Sequence, residues 1–173
     1  MKLTNDEAIQ ILNAGLATGA DFAEIYLQDS KSENIARRYQ KPHGVSKSHT
    51  IGAGIRLRKG KQTVYGYSSD ISVSALISLA KSLSYGFDGS REKVLSQLVE
   101  KKFSDLCPRK IPFSAKSLEE KLAYLEEGEK AAYSVSPLIQ DVTVSLTNVD
   151  AYIEIYNSDG FFCKKHQPIC RLA

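Results

Sequence analysis

The sequence predicts an α+β fold, an antiparallel or mixed sheet with helices packed on it, and three observations carry that expectation. Two Ser/Thr-x-x-Glu boxes, Thr4 with Glu7 and Ser117 with Glu120, open segments whose apolar residues recur at helical spacing. Residues 51–58 alternate Ile51, Ala53, Ile55 and Leu57 with Gly52, Gly54, Arg56 and Arg58, which is the period of a half-buried strand. A capped helix followed by strands occurs over residues 4–67 and again over 117–173. That echo points to a duplicated helix-plus-meander unit whose strands share one sheet.

Taken in order, the first helix is opened by Thr4 and Glu7 and carries Ile9, Leu12 and Leu16 on one stripe. Gly19 stops it, since glycine adopts the left-handed conformation without penalty. Residues 22–27 then place Ala23, Ile25 and Leu27 on one face of a strand. Residues 34–39 read as its partner, across a polar turn containing Ser30, Lys31 and Ser32. Residues 40–50 hold Pro42, Gly44, His43 and His49, and read as a long polar loop or the frayed end of a hairpin. After the alternating strand, Lys59 and Gly60 turn the chain and residues 63–67 return antiparallel. A second helix starts near Ser72, with Leu76, Leu79, Ala80 and Leu83 on its stripe, and ends near Gly86.

Residues 88–116 read as an irregular connector between two sub-units. Within it Val94, Leu95, Leu98 and Val99 indicate a short helix, and Pro108 and Pro112 interrupt regular structure. The helix opened by Ser117 lines up Leu118, Leu122, Leu125 and Ala132. Strands follow over residues 139–146 and 151–156, then a turn at Asn157, Ser158, Asp159 and Gly160, then a last strand from Phe161. Alternation is still running at Ile169, Cys170 and Arg171, so the chain is expected to be a strand cut short at a boundary.

Composition limits the function classes. With 173 residues, 42% hydrophobic and 25% charged, the chain suits one ordinary globular domain with a sizeable core. No apolar run approaches the ~20 residues of a transmembrane helix. The sequence turns acidic at Asp6 and Glu7, where a signal peptide would need its apolar segment, so a cytoplasmic protein without membrane partners is expected. Cys107, Cys163 and Cys170 are odd in number and read as reduced, packed thiols. The net charge of +3 is mild, but Asp and Glu are missing between Asn34 and Ser69 while Arg37, Arg38, Lys41, Lys47, Arg56 and Arg58 fall there. A positive surface for an anionic partner is one reading; basic side chains on the solvent faces of strands is the preferred one.

The residues themselves offer no active site. Cys163, His166 and Cys170 are metal-ligand types, but positions of opposite parity on a strand point to opposite faces, and packing is the preferred reading. Neither His43 nor His49 is followed by Glu, and no His-Glu-x-x-His, His-Glu-x-x-x-His or Gly-x-Ser-x-Gly segment occurs. Gly52 and Gly54 lie inside a strand rather than opening a helix, so a phosphate loop is disfavoured. Tyr65, Tyr67, Tyr152 and Tyr156 could interleave with basic residues, yet the consensus of an RNA-binding sheet is missing and a nucleic-acid partner is disfavoured.

Four segments together resemble the amino-terminal domain of the TldD/PmbA family, also called modulators of DNA gyrase. They are residues 19–27 after the opening helix, Gly52 to Arg56 followed by Gly66 to Asp70, Ser117 to Leu122 with Glu129 to Ala132, and the turn Asn157 to Gly160. The resemblance implies that residues 1–173 form that amino-terminal domain of a cytosolic, homodimeric metallopeptidase acting on peptides. It implies zinc held by a His-Glu-x-x-x-His helix and a cysteine in a carboxy-terminal half absent from this sequence, with the glutamate as general base. No catalytic or metal residue carries over to these positions. The implied work of this domain is to wall one side of the peptide cleft and contribute to the dimer. Arg56, His43 and His49 are the expected peptide contacts, through addition of the peptide to a sheet edge. The alternatives are a stand-alone peptide- or protein-interaction module without catalysis, and a nucleic-acid-binding module.

Overall fold

The computed structural model describes residues 3–90, 94–104 and 108–173. Its helices are α1 (Asn5–Leu16), α2 (Val73–Ser84) and α3 (Leu118–Ser134), with a 3-10 turn at Phe113–Ala115. Its strands are β1 (Phe22–Arg38), β2 (Lys41–Lys59), β3 (Gln62–Ser68), β4 (Val99–Glu100), β5 (Thr143–Asn157) and β6 (Phe161–Leu172). All six share one sheet in the order β3-β2-β1-β5-β6-β4. The β2–β3 pairing is antiparallel and the β4–β6 pairing parallel, so the sheet is mixed and the fold α+β. The two strand groups that each follow a capped helix do lie in that one sheet.

Two compact units divide the chain: Met1–Asp29, Thr50–Ser104 and Tyr152–His166 in the first, Ser30–His49, Asp105–Ala151 and Gln167–Ala173 in the second. Strands β1, β2, β5 and β6 each contribute residues to both. This corrects two expectations. No turn interrupts the chain at Ser30 to Ser32, where β1 runs straight through. Parity is consistent with it: Ala23, Ile25 and Leu27 are buried, and so are Ile35 and Arg37, all at odd positions on either side of the more exposed residues 28–34. Ser-Lys-Ser also lacks a residue that favours positive φ. The hairpin closes instead at Tyr39 and Gln40, with φ of 53° and 59°, and residues 41–50 are strand rather than loop.

In the first unit, the Thr4 hydroxyl accepts from the Glu7 N–H and the Glu7 carboxylate accepts from the Thr4 N–H, closing the capping box. Helix α1 buries Ala8, Ile11, Leu12 and Leu16 in a core with Ile25, Leu27, Ile55 and Leu57 of the sheet and Leu76 and Ala80 of α2. Each such leucine or isoleucine contributes about 1.5–3 kcal/mol on burial. Residues 94–98 are not the helix that their spacing suggested. Asn13 clamps them, its Nδ2 donating to the Leu95 carbonyl at 2.9 Å and its Oδ1 accepting from the Leu95 N–H at 3.0 Å. Leu98 enters the core, and Val99 pairs with Phe161 as the start of β4.

The second unit has a smaller apolar core: Ile35, Leu125 and Val144, with Leu122, Val142 and Leu146 partly buried beside them. The Ser117–Glu120 capping box opens α3 as expected. Its buried stripe is different from the expected one. Leu118 is exposed and Ala132 only half-buried, while Lys121, Leu125 and Glu129 are the buried positions.

Candidate functional site

Helix α3 meets β1 within the second unit through a match of two periods. Residues four apart on a helix rise about 6 Å, and residues two apart on a strand rise about 6.7 Å. Lys121, Leu125 and Glu129 therefore fall opposite Glu33, Ile35 and Arg37. Lys121 Nζ donates to Glu33 Oε2 at 2.5 Å. Leu125 packs with Ile35. Arg37 Nε donates to Glu129 Oε2 at 3.1 Å. A charge pair, an apolar pair and a charge pair of reversed sign set the register of helix on strand. Sliding the helix by one turn would bring Leu125 against a charge, so the pairs specify position as well as stabilise it.

Each ion pair anchors further groups. Glu129 Oε1 accepts from the Gln40 backbone N–H at 2.8 Å, and Arg37 Nη2 donates to the Gln40 carbonyl at 3.1 Å, which ties the strained β1–β2 turn to α3. Glu33 also accepts from Asn148 Nδ2 at 3.3 Å and pairs with Lys47 Nζ at 3.4 Å. Burial pushes the Glu33 carboxyl up, but hydrogen bonds from Lys121, Asn148 and Lys47 outweigh it and hold the pKa below the usual carboxylate value.

Two cavities open at the Lys121–Glu33 end of this cluster, and a third, about 430 Å³, at its Arg37–Glu129 end. Of the first two, the larger, about 740 Å³, is lined by Lys31, Lys47, His49, Arg109, Lys116 and Asp150 among others. The smaller, about 430 Å³, is lined mainly by apolar groups, including Ile111, Phe113, Tyr124, Leu146 and Pro168. Lys121 and Asn148 line both. Asn148 is buried, and its Oδ1 has no hydrogen-bond partner among the described residues.

The residues singled out from the sequence divide between the units. Arg56 belongs to the first, where it pairs with Glu24 at 3.0 Å and its guanidinium lies 5.8 Å from the centre of the Phe22 ring. His43 and His49 belong to the second, both exposed on the first half of β2, and His49 lines the larger cavity. The β2–β3 pairing reaches back only to Ala53 opposite Ser68, so residues 41–49 run on beyond it with every side chain exposed. Arg37 corrects the solvent-face reading of the basic stretch, being 7% exposed and committed to Glu129.

Lys121, Glu33, Arg37, Glu129 and Asn148 were missed by sequence reasoning. The signal available was the odd parity shared by Glu33, Ile35 and Arg37 with Ala23 to Leu27. Among the described residues the cysteines form no centre: Cys163 and Cys170 are free thiols, and Cys170 is exposed rather than packed. Cys107 lies outside the described residues. His166 stacks on Tyr152 with ring centres 4.4 Å apart. Among the described residues no group of three or more His, Cys, Asp or Glu side chains is gathered that could hold a metal ion, so these residues do not fit zinc. No described helix is long and apolar enough to cross a membrane.

Residues 23–84 match the family model for PmbA/TldA metallopeptidase domain 1, and residues 111–173 match that for the PmbA/TldA metallopeptidase central domain. Solved structures share the fold at low identity. A protein of Bacteroides thetaiotaomicron named as a modulator of DNA gyrase aligns over 96% of this chain and 39% of its own, at 15% identity and a TM-score of 0.73. One of Thermotoga maritima with the same name aligns over 87% of this chain and 34% of its own, at 12% identity and a TM-score of 0.65. TldE of Thermococcus kodakarensis aligns over 88% and 35%, at 16% identity and a TM-score of 0.61. The chain thus spans between a third and two-fifths of the length of these relatives.

Proposed function

The chain belongs to the TldD/PmbA metallopeptidase family, and from that premise we propose that it serves as a peptide-holding, non-catalytic part of a longer zinc metallopeptidase. The observation that carries this reading is the pair of successive family matches, to domain 1 and then to the central domain, in a chain whose described residues gather no metal-binding group. In this account the sequence is the amino-terminal region of the parent, walls one side of the peptide cleft and contributes to a homodimer. Zinc and the general base come from a carboxy-terminal half.

Peptide addition to a sheet edge is the mode we assign. Residues 41–49 of β2 extend past the β3 pairing, are exposed throughout, and carry His43, Lys47 and His49. Main-chain hydrogen bonds along such an edge give affinity with little demand on sequence. Arg56, in the first unit and opposite Tyr65 within the β2–β3 pairing, lies outside this edge and is a separate candidate contact, its charge shared with Glu24. The test is equilibrium binding of an extended peptide and of the same peptide N-methylated on alternate amides. N-methylation is expected to weaken binding by about tenfold or more, as is alanine at His43 and His49 together, while alanine at Arg56 tests that separate contact. Equal affinity of the methylated and unmethylated peptides would remove the edge mode.

A further inference from the structure

We propose that the two cavities that share Lys121 and Asn148 bind the free carboxy-terminal residue of a peptide. Its apolar side chain enters the smaller cavity, its carboxylate lies among the lysines of the larger one, and its amide N–H donates to Asn148 Oδ1. The assignment deepens the peptide-holding reading and rests on it.

Asn148 supplies the first argument. It is 4% exposed, its Nδ2 is committed to Glu33, and its Oδ1 has no hydrogen-bond partner among the described residues. A buried amide oxygen left without a donor is unfavourable, and the group that relieves it must donate. An amide N–H does so; a carboxylate or a hydrocarbon chain does not. The Oδ1 is closed to solvent in the unliganded chain and must turn toward the ligand. Because Asn148 lines both cavities, a donor that reaches this oxygen belongs between a ligand's charged part and its apolar part. The N–H of an amino-acid residue occupies that place, one atom from the carbon bearing both side chain and carboxylate.

Charge supplies the second argument. Lys31, Lys47, Lys116, Lys121 and Arg109 line the larger cavity, against Glu33 and Asp150. Asp150 faces Arg109 at 2.6 Å and Glu120 faces Lys116 at 2.8 Å. Glu33 alone serves both Lys121, at 2.5 Å, and Lys47, at 3.4 Å. Lys31 is exposed and enters none of these pairs, and the Lys47 side chain is 72% exposed and holds the longer contact, so these two ammoniums are the ones able to turn toward a ligand carboxylate. The third argument is the smaller cavity, whose Ile111, Phe113, Tyr124 and Leu146 suit a leucine- or phenylalanine-sized group. A fatty acid would satisfy charge and apolar surface and leave Asn148 unanswered. An N-acylated amino acid offers the same chemistry as a peptide end, so both fit the site.

Fluorescence anisotropy on the full chain tests this with a dye-labelled peptide ending in leucine, prepared as the free acid and as the amide. The acid is expected to bind about tenfold or more tightly than the amide, with the gap narrowed in the double variant Lys31→Gln, Lys47→Gln. N-acetyl-leucine should displace the acid, and octanoate at equal concentration should not. If acid and amide bind alike, this assignment falls and the peptide-holding reading stands. Displacement by octanoate as effective as by N-acetyl-leucine would overturn the role of Asn148, and an unchanged gap in the double variant Lys31→Gln, Lys47→Gln would overturn the placement of the carboxylate. Absence of binding by any peptide would overturn both readings.

Discussion

At the residue scale, Glu33 decides how the second unit holds together, because it is the shared acceptor for Lys121, Asn148 and Lys47. Removing one member of a buried ion pair leaves the other charge without compensation, at about 3–5 kcal/mol when burial is complete. The Lys121 and Glu33 side chains keep 9% and 13% exposure, and Lys47 is largely exposed. Glu33→Gln is therefore expected to cost less, about 2–3 kcal/mol, read by denaturant unfolding monitored through circular dichroism. The same carboxyl gives a pH dependence. Its folded pKa lies below the ordinary 4.5, so its contribution to stability is present above 4.5 and is lost as pH falls through the folded value. Unfolding midpoints measured from pH 6 down to about pH 3 should fall less steeply in Glu33→Gln than in the parent chain. Parallel slopes would show that the acid sensitivity lies elsewhere, for example in the capping carboxylates Glu7 and Glu120, whose pKa values are also lowered.

At the scale of elements, much was legible and the failures have specific causes. Both capping boxes, the alternation of residues 51–58 and the turns at Gly60 and Gly160, with φ of 58° and 89°, are local signals, and local physics decides them. The turn at Tyr39 and Gln40 was not legible, since neither residue favours positive φ; Glu129 and Arg37 hold it from outside through the Gln40 backbone. A left-handed conformation costs a non-glycine residue about 1–2 kcal/mol, and glycine gives back part of that in the unfolded chain. Gln40→Gly keeps the backbone hydrogen bonds and is expected to stabilise the chain by about 0.5–1 kcal/mol, seen as a higher unfolding midpoint at unchanged slope. The contact of α1 with β2 gives the opposite case. A Cβ at Gly15 would lie 2.6 Å from Cδ2 of Leu57, which is fully buried. Gly15→Val should destabilise by about 2 kcal/mol through overpacking, despite glycine's poor helix propensity. Residues 94–98 misled because their apolar spacing is helical, whereas Asn13 supplies hydrogen bonds that only tertiary structure could reveal.

At the scale of the molecule, four strands pass from one compact unit to the other, an arrangement invisible to any reading that breaks β1 at Ser30. The candidate site escaped notice for the same reason: with β1 split, Glu33 and Arg37 lose their shared face, and the acidic run of α3 looks like ordinary solvated charge. What the sequence did show was the family pattern, spread over most of the chain, together with the missing metal motif. Peptide capture without cleavage is the central claim. It is tested most directly by incubating the chain with an extended peptide and zinc, measuring binding at equilibrium and the peptide's mass afterwards. Saturable binding with the peptide recovered intact is the predicted result; cleavage that depends on added zinc and stops with a chelator would contradict it.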